Sequence, residues 1–287
     1  MRKLIFLTFT AFILISCSND PDNESEIVKN NFPKVSDIYL LNTNLLKQHT
    51  GIDLDLGKLN QDTYVQDLIS SIAQLNDDSF SAVCHINYGS DGLVKSYTIG
   101  SMGILYGRFD YGGTIQRDAK GNVISINNIP VRVGNNKITF ENDGWYKADG
   151  YPREVSFKGS RLTKTYFIDG MGKEIKSDSY TYVYNDDFVK IHKTGGNFSL
   201  YEVLEYHNDE CNLPWIMNFS SLSLSLEIAF NLRLMKKIPK KIFAGQHKDQ
   251  SADITHIIKD HLSRPVLIIG RNHEYTIDRI AVYQYAD

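Results

Sequence analysis

Two cysteines in the body of this 287-residue chain, Cys84 and Cys211, are its first candidates for covalent chemistry. If the chain is exported to an oxidising compartment, they can form a disulfide. Closing so long a loop would stabilise the fold, mainly by restricting the unfolded chain. The alternative is that both are small apolar core residues. The sequence leaves both interpretations open.

The third cysteine, Cys17, ends a segment that is typical of a secretory leader. Residues 1–3 are positively charged at Arg2 and Lys3, and residues 4–15 form an apolar run too short to span a bilayer comfortably. The ending Leu-Ile-Ser-Cys resembles the bacterial lipobox, whose cysteine is acylated and becomes the mature N-terminus. We therefore predict a lipoprotein signal peptide over residues 1–16 and lipidation, with palmitate or similar acyl chains, at Cys17. A plain signal peptide or an N-terminal anchor helix is the alternative.

The segment after Cys17 is acidic, polar and without apolar periodicity, which predicts a flexible tether over residues 17–31. Acidic residues at this place resemble the surface-export signal of Bacteroidetes lipoproteins. We expect a protein anchored by lipid to the outer membrane, facing either the periplasm or the cell surface.

Motifs for catalysis or for metal binding are missing from the sequence. It contains no HExxH or paired-cysteine zinc spacing, no Gly-Xaa-Ser-Xaa-Gly elbow, no phosphate-binding loop and no dinucleotide fingerprint. The net charge of −3 argues against a nucleic-acid partner. No catalytic residue, metal or cofactor is therefore predicted. Carboxylates are abundant, so a glycoside-cleaving pair stays open without any pair being singled out.

A short phrase that repeats through the middle of the chain predicts its architecture. An aromatic residue, polar residues and a turn with glycine come before alternating apolar runs, as in residues 88–92, 140–144 and 167–170. Such turns join antiparallel strands. We predict a mainly β protein, in which a meander of antiparallel hairpins forms a curved sheet or partial barrel. It makes one domain over residues 32–287, with one N-terminal helix near 63–75.

These repeats also carry a family resemblance. The aromatic-Asp-Gly phrases resemble the YD-type repeats of Bacteroidetes lipoproteins. From about Asp78 to Tyr285 the chain resembles an uncharacterised Bacteroidetes lipoprotein family, a domain of unknown function with a porin-like fold. The resemblance implies a barrel-like antiparallel sheet and an envelope location, and it supplies no catalytic residues.

The most apolar stretch after the leader runs from Leu213 to Met235. Serine and leucine alternate over residues 221–226, which predicts a strand. Leu222, Leu224 and Leu226 are candidates to line a ligand cavity, with ordinary core packing as the alternative.

The function expected from these features is that of a non-catalytic binding or scaffold module. Tyr180, Tyr182 and Tyr184 share one strand face, and tyrosine suits a glycan or a protein of the envelope as partner. The alternative is a carrier of a lipid or other hydrophobic ligand in a β-sheet cavity, and the third hypothesis is a polysaccharide-acting hydrolase. Charges within candidate strands, as at Lys137 and Glu154, argue against a barrel whose strands face lipid.

Overall fold

The computed structural model describes residues 33–286 except 104–106, 142–152, 159–160, 168–172, 177–178, 185–188, 194–198, 211–212, 215–220, 231, 233–234, 236, 245–250 and 273–276. The predicted signal peptide, Cys17, the tether and Cys211 lie outside the described residues. The side chains of Leu222 and Leu224 do as well.

Antiparallel strands make up most of the described chain. They are β1 Val35–Asn42, β2 Ala82–Tyr88, β3 Val94–Gly103, β4 Gly107–Arg117, β5 Val123–Ile126, β6 Ile129–Gly134, β7 Lys137–Phe140, β8 Glu154–Lys158, β9 Arg161–Tyr166, β10 Tyr180–Tyr184, β11 Val189–Lys193, β12 Ser199–Glu210, β13 Lys237–Ala244, β14 Ser251–Lys259, β15 Pro265–Asn272 and β16 Ile277–Tyr285.

Each strand pairs with its neighbours in the sequence, and the first strand also pairs with the last. Ile38 on β1 lies opposite Cys84 on β2 and opposite Tyr283 on β16, so the sheet closes. The described strands therefore form a closed sixteen-strand barrel. The predicted mainly β meander is confirmed, and the sheet is a complete barrel rather than an open or partial one.

Local turn chemistry explains why these hairpins form. Gly92 and Gly121 adopt φ of 76° and 87°, as the predicted turns require. Asn127 and Asn128 form the two-residue turn between β5 and β6 with φ of 50° and 64°, a conformation that asparagine tolerates better than most residues.

The inner face of the barrel is apolar. Alternate side chains of all sixteen strands join one buried cluster. Helix α3, Ser221–Phe230, packs against β3 and β4 and belongs to this cluster. Its Phe230 ring meets Phe140 of β7 edge to face, with centroids 6.1 Å apart. The barrel therefore holds a helix in its interior.

Helix α3 corrects the prediction of a strand over residues 221–226. All five residues from Leu226 to Phe230 are buried, so the second half of this helix is enclosed on every side. An enclosed helix needs no polar face, and its sequence then lacks the 3.6-residue period by which helices are recognised. The serine–leucine alternation was a misleading signal for this reason.

Two helices cover part of the outer face. They are α1 Thr43–Thr50 and α2 Asp62–Ala73, and short 3₁₀ turns occupy Leu56–Lys58 and Asp77–Ser79. Helix α2 lies where the sequence predicts a helix, and it buries Val65, Leu68 and Ile72 in a second apolar cluster with outward residues of β1, β2, β15 and β16. Of the described helices, none is long and apolar enough to cross a membrane.

Candidate functional site

The outer wall away from α1 and α2 carries ion pairs between neighbouring strands. Lys137 Nζ on β7 lies 2.9 Å from Glu154 Oε2 on β8. Lys190 Nζ on β11 lies 3.4 Å from Glu202 Oε2 on β12. Further outer pairs are Arg132–Glu141, Lys164–Glu174 and Lys240–Glu205. Charged residues face outward here and apolar residues face inward, which is the reverse of the pattern in barrels that face lipid.

The predicted cavity-lining leucines lie on the inner helix rather than on a strand. Leu226 is 1% exposed and packs in the apolar cluster of the barrel interior. The side chains of Leu222 and Leu224 lie outside the described residues, so the role of the three leucines with a ligand stays a prediction.

A polar site lies where the start of β9 meets the end of β10. The Arg161 guanidinium stacks over the Tyr184 ring, with Cζ 4.8 Å from the ring centroid. The Tyr184 hydroxyl and Arg161 Nε are both buried, and no described residue accepts a hydrogen bond from either. Thr165 Oγ1 on β9 is also buried and has no hydrogen-bond partner among the described residues. Such groups are rare in folded proteins, because buried polar atoms nearly always have partners.

Charges from two elements act on Tyr184. Burial raises the pKa of its hydroxyl well above the usual range, and Tyr182 raises it further. The positive charge of Arg161 lowers that pKa. The negative charge of Glu227 on α3 raises the pKa, and this effect is smaller than that of Arg161. Burial is the largest of these effects, so the environment of the hydroxyl is mainly apolar.

The row of tyrosines predicted on one face of β10 is turned inward. Tyr182 is 5% exposed and belongs to the interior cluster, against which Tyr180 and Tyr184 pack. Tyr206 of β12 joins them there. Any partner of this aromatic face must therefore enter the barrel, which differs from the open glycan- or protein-binding surface expected from the sequence.

A second polar cluster sits on the outer wall beside α2. His85 Nδ1 lies 2.7 Å from Asp37 Oδ1, and its Nε2 lies 3.3 Å from both Asp77 carboxylate oxygens. The hydrogen bond to Asp37 raises the pKa of His85. The pKa of Asp37 is lowered because its bonds to His85 and Ser36 outweigh burial, which alone would raise it. This cluster ties the turn at Asp77 to the barrel.

A shallow surface groove of about 440 Å³ lies between the 3₁₀ turn at Leu56 and strand β14. Its lining residues are Leu56, Gly57, Leu59, Asn60, His256 and Ile258. No carboxylate lines it, so it lacks the pair of acids that glycoside cleavage needs. Within the described ranges, no group of three or more His, Cys, Asp or Glu residues is placed to hold a metal ion.

Cys84 is fully buried on the inner face of β2. Burial, reinforced by the charge of Asp37, raises the pKa of its thiol and keeps it protonated. Because Cys211 lies outside the described residues, the Cys84–Cys211 disulfide stays a prediction.

Sequence reasoning missed Arg161, Thr165 and the group formed by Asp37, Asp77 and His85. The alternation of tyrosines on β10 identified one of the two strands that form this site. Nothing local indicated that Arg161 lies beside Tyr184, because that contact depends on how β9 pairs with β10.

No family model matches the sequence, and no curated protein is significantly similar to it. In structure, the chain is similar to a porin-like protein from Bacteroides uniformis, with a TM-score of 0.49 and 13% identity, covering 88% of this chain and 99% of that one. It is also similar to a porin-like protein from Bacteroides vulgatus, with a TM-score of 0.30 and 13% identity, covering 62% of this chain and 94% of that one. These similarities concern the fold alone, and the closed barrel rests on its strand pairing. The barrel-like antiparallel sheet that the resemblance implies is present in the strand pairing, whereas the lipoprotein family and the YD-type repeats stay predictions.

Proposed function

We propose that this chain is a non-catalytic binding or scaffold module of the outer membrane, held there by lipid on Cys17 while its barrel stands in water. The observation that carries the proposal is the polarity of the barrel wall. The interior is apolar and holds helix α3, whereas the outer face carries ion pairs such as Lys137–Glu154. A wall of this polarity favours water outside the barrel and disfavours both lipid outside and an aqueous channel inside.

Acylation and detergent partitioning test the proposal together. Cells that make the full chain are labelled with tritiated palmitate, and the products are partitioned with Triton X-114. We expect the wild type to carry label and enter the detergent phase, and Cys17→Ser to lose the label. A chain with Cys17→Ser from which residues 2–16 have also been removed should move to the aqueous phase. Ser16→Ala is the matched control, because it keeps a small residue before the cysteine and should behave as wild type. Entry of the chain without residues 2–16 into the detergent phase would refute a water-exposed barrel.

The second candidate is a carrier of a lipid or other hydrophobic ligand. Two buried polar atoms, Arg161 Nε and the Tyr184 hydroxyl, favour it, since neither has a hydrogen-bond partner among the described residues and the Tyr184 ring packs against the apolar interior. A ligand in that interior would supply the missing hydrogen bonds. Displacement of a fluorescent fatty acid from the purified chain by envelope lipid extract tests this candidate, and failure of the fluorescent fatty acid to bind at all would count against it.

A further inference from the structure

His85 stands on the outer wall between two carboxylates that come from different elements. Its Nδ1 faces Asp37 on β1, and the two residues lie directly opposite each other in the strand register. Its Nε2 faces both carboxylate oxygens of Asp77, which begins the 3₁₀ turn Asp77–Ser79 between α2 and β2. One imidazole ring therefore joins the barrel to the turn that follows the helical cover made by α1 and α2.

The two contacts of the ring place a condition on its protons. A neutral imidazole has one N–H donor and one nitrogen that only accepts, whereas the protonated ring has two N–H donors. An ionised carboxylate only accepts hydrogen bonds. A neutral ring can therefore bond to one of the two carboxylates and turns a lone pair toward the other. Only the protonated form of His85 matches both contacts, at 2.7 Å to Asp37 and 3.3 Å to Asp77.

The groups around His85 favour the same protonated form. The hydrogen bond to Asp37 raises the pKa of His85 by more than burial lowers it, and Asp77 raises it further. Tyr39 of β1 meets the ring edge to face, with centroids 6.2 Å apart, and burial raises the pKa of Tyr39 to about 12, so that its hydroxyl stays neutral. On β3 the residue opposite His85 is Thr98, which carries no charge. The ring thus faces two carboxylates and two neutral side chains.

We propose that His85 is a pH-sensitive switch that holds the Asp77–Ser79 turn against the barrel when its ring is protonated and releases the turn when the ring is neutral. The contact with Asp77 is the one that is lost, because the shorter contact with Asp37 keeps the remaining proton. The turn leads directly into Phe80, which is buried against Tyr39 with ring centroids 4.8 Å apart. The switch therefore makes one edge of the helical cover, rather than the barrel, respond to pH.

Amide hydrogen exchange of the purified chain, corrected for the intrinsic effect of pH, tests this switch. The reporters are the amides of Ser79, Phe80 and Ser81, which donate hydrogen bonds to the carbonyls of Asn76, Asp77 and Leu40. The turn is held below the ordinary histidine pKa of about 6.5 and released as pH rises through the raised pKa of His85. Protection of the reporters should therefore be about twofold to fivefold lower at about pH 8.5 than at about pH 5.5, a range typical of partly exposed ion pairs.

The amide of Gly51 is the internal control for this measurement. It donates a hydrogen bond to the Lys47 carbonyl at the end of α1, in the same helical cover but outside the His85 cluster. Its protection should not change between the two pH values. Equal protection of the reporters at both pH values would overturn the proposal, and so would an equal loss at Gly51, because the whole cover would then respond.

Variants and a direct titration locate the switch. Asp77→Asn removes the charge and keeps the shape of the side chain, so His85 should titrate at lower pH by NMR of its ring, and the reporters should lose their pH dependence. Asp67→Asn is the matched control, because Asp67 is an exposed carboxylate of α2 that is not among the groups acting on His85. Both readouts should equal those of the wild type. An unchanged His85 titration in Asp77→Asn would refute the switch, as would a wild-type midpoint at or below about 6.5, which is measured without any variant.

Discussion

Gly113 on the inner face of β4 allows a direct test of the packing inside the barrel. It lies opposite Tyr97 of β3 in the strand register. A Cβ at position 113 would stand 2.8 Å from three atoms of the Tyr97 ring, Cε1, Cζ and Oη. Tyr97 is 1% exposed and surrounded by the interior cluster, so its ring has little room to move away. Gly113→Ala should therefore strain the core.

The expected cost combines two opposing effects. Overpacking of a dense core costs about 1–3 kcal/mol. Replacing glycine by alanine also reduces the entropy of the unfolded chain, which returns about 0.4–1 kcal/mol. We expect a net loss of about 1–2 kcal/mol in the free energy of unfolding, and a fall in the melting temperature of roughly 2–8 °C for a domain of this size.

Gly134→Ala is the matched control for this experiment. Gly134 is also a strand glycine, at the end of β6, and a Cβ there would meet nothing within 4 Å. Its melting temperature, followed by circular dichroism, should equal or slightly exceed that of the wild type. In a double-mutant cycle, Tyr97→Leu should offset part of the Gly113→Ala loss, because the smaller side chain removes the clash. A fully stable Gly113→Ala, or strict additivity with Tyr97→Leu, would refute the reasoning.

Three further perturbations test other parts of the molecule. The raised pKa of His85 adds stability that is fully present below its unfolded pKa, about 6.5, and is lost as pH rises through the folded pKa. The lowered pKa of Asp37 adds stability that is present above its unfolded value, about 3.9, and is lost as pH falls through the folded pKa. Melting temperatures should therefore be highest between these limits, and His85→Gln should flatten the alkaline side; an unchanged pH profile in the variant would contradict this. Asn42→Ala should cost about 0.5–2 kcal/mol by thermal melting, since the Asn42 side chain accepts a hydrogen bond of 2.9 Å from Leu45 N at the start of α1; Lys47→Ala, at an exposed position of the same helix, should cost less. Leu226→Ala should cost about 2–5 kcal/mol by urea denaturation, because Leu226 is buried in the core; a loss below about 1 kcal/mol would mean that α3 is loosely held.

Features set by neighbouring residues could be predicted from the sequence. The mainly β class and the glycine turns at Gly92 and Gly121 follow from residue types within a few positions of each other. Helix α2 also follows from its own stripe of Val65, Leu68 and Ile72. In these places, local preference and tertiary packing favour the same conformation.

Features set by distant pairing could not be predicted. Closure of the barrel depends on contacts between β1 and β16, and no local pattern encodes them. Helix α3 was missed because enclosure removes the amphipathic signal. The approach of Arg161 to Tyr184, and of Asp37 to His85, arises from the register of strands and from a turn that folds back onto the wall. Sequence patterns indicate which residues share a strand face, but not which faces meet.

The pairing of β1 with β16 also determines the order in which this protein can mature. Strand β1 is made before the other strands and its partner β16 is made after them, so the cylinder stays open until β16 has been synthesised. During that interval the first and last available edges present free backbone groups, which invite association with other chains. Contacts between the two ends of a chain also slow folding. The unclosed chain therefore needs protection of its edges, and loss of β16 would leave β1 without one of its two neighbouring strands.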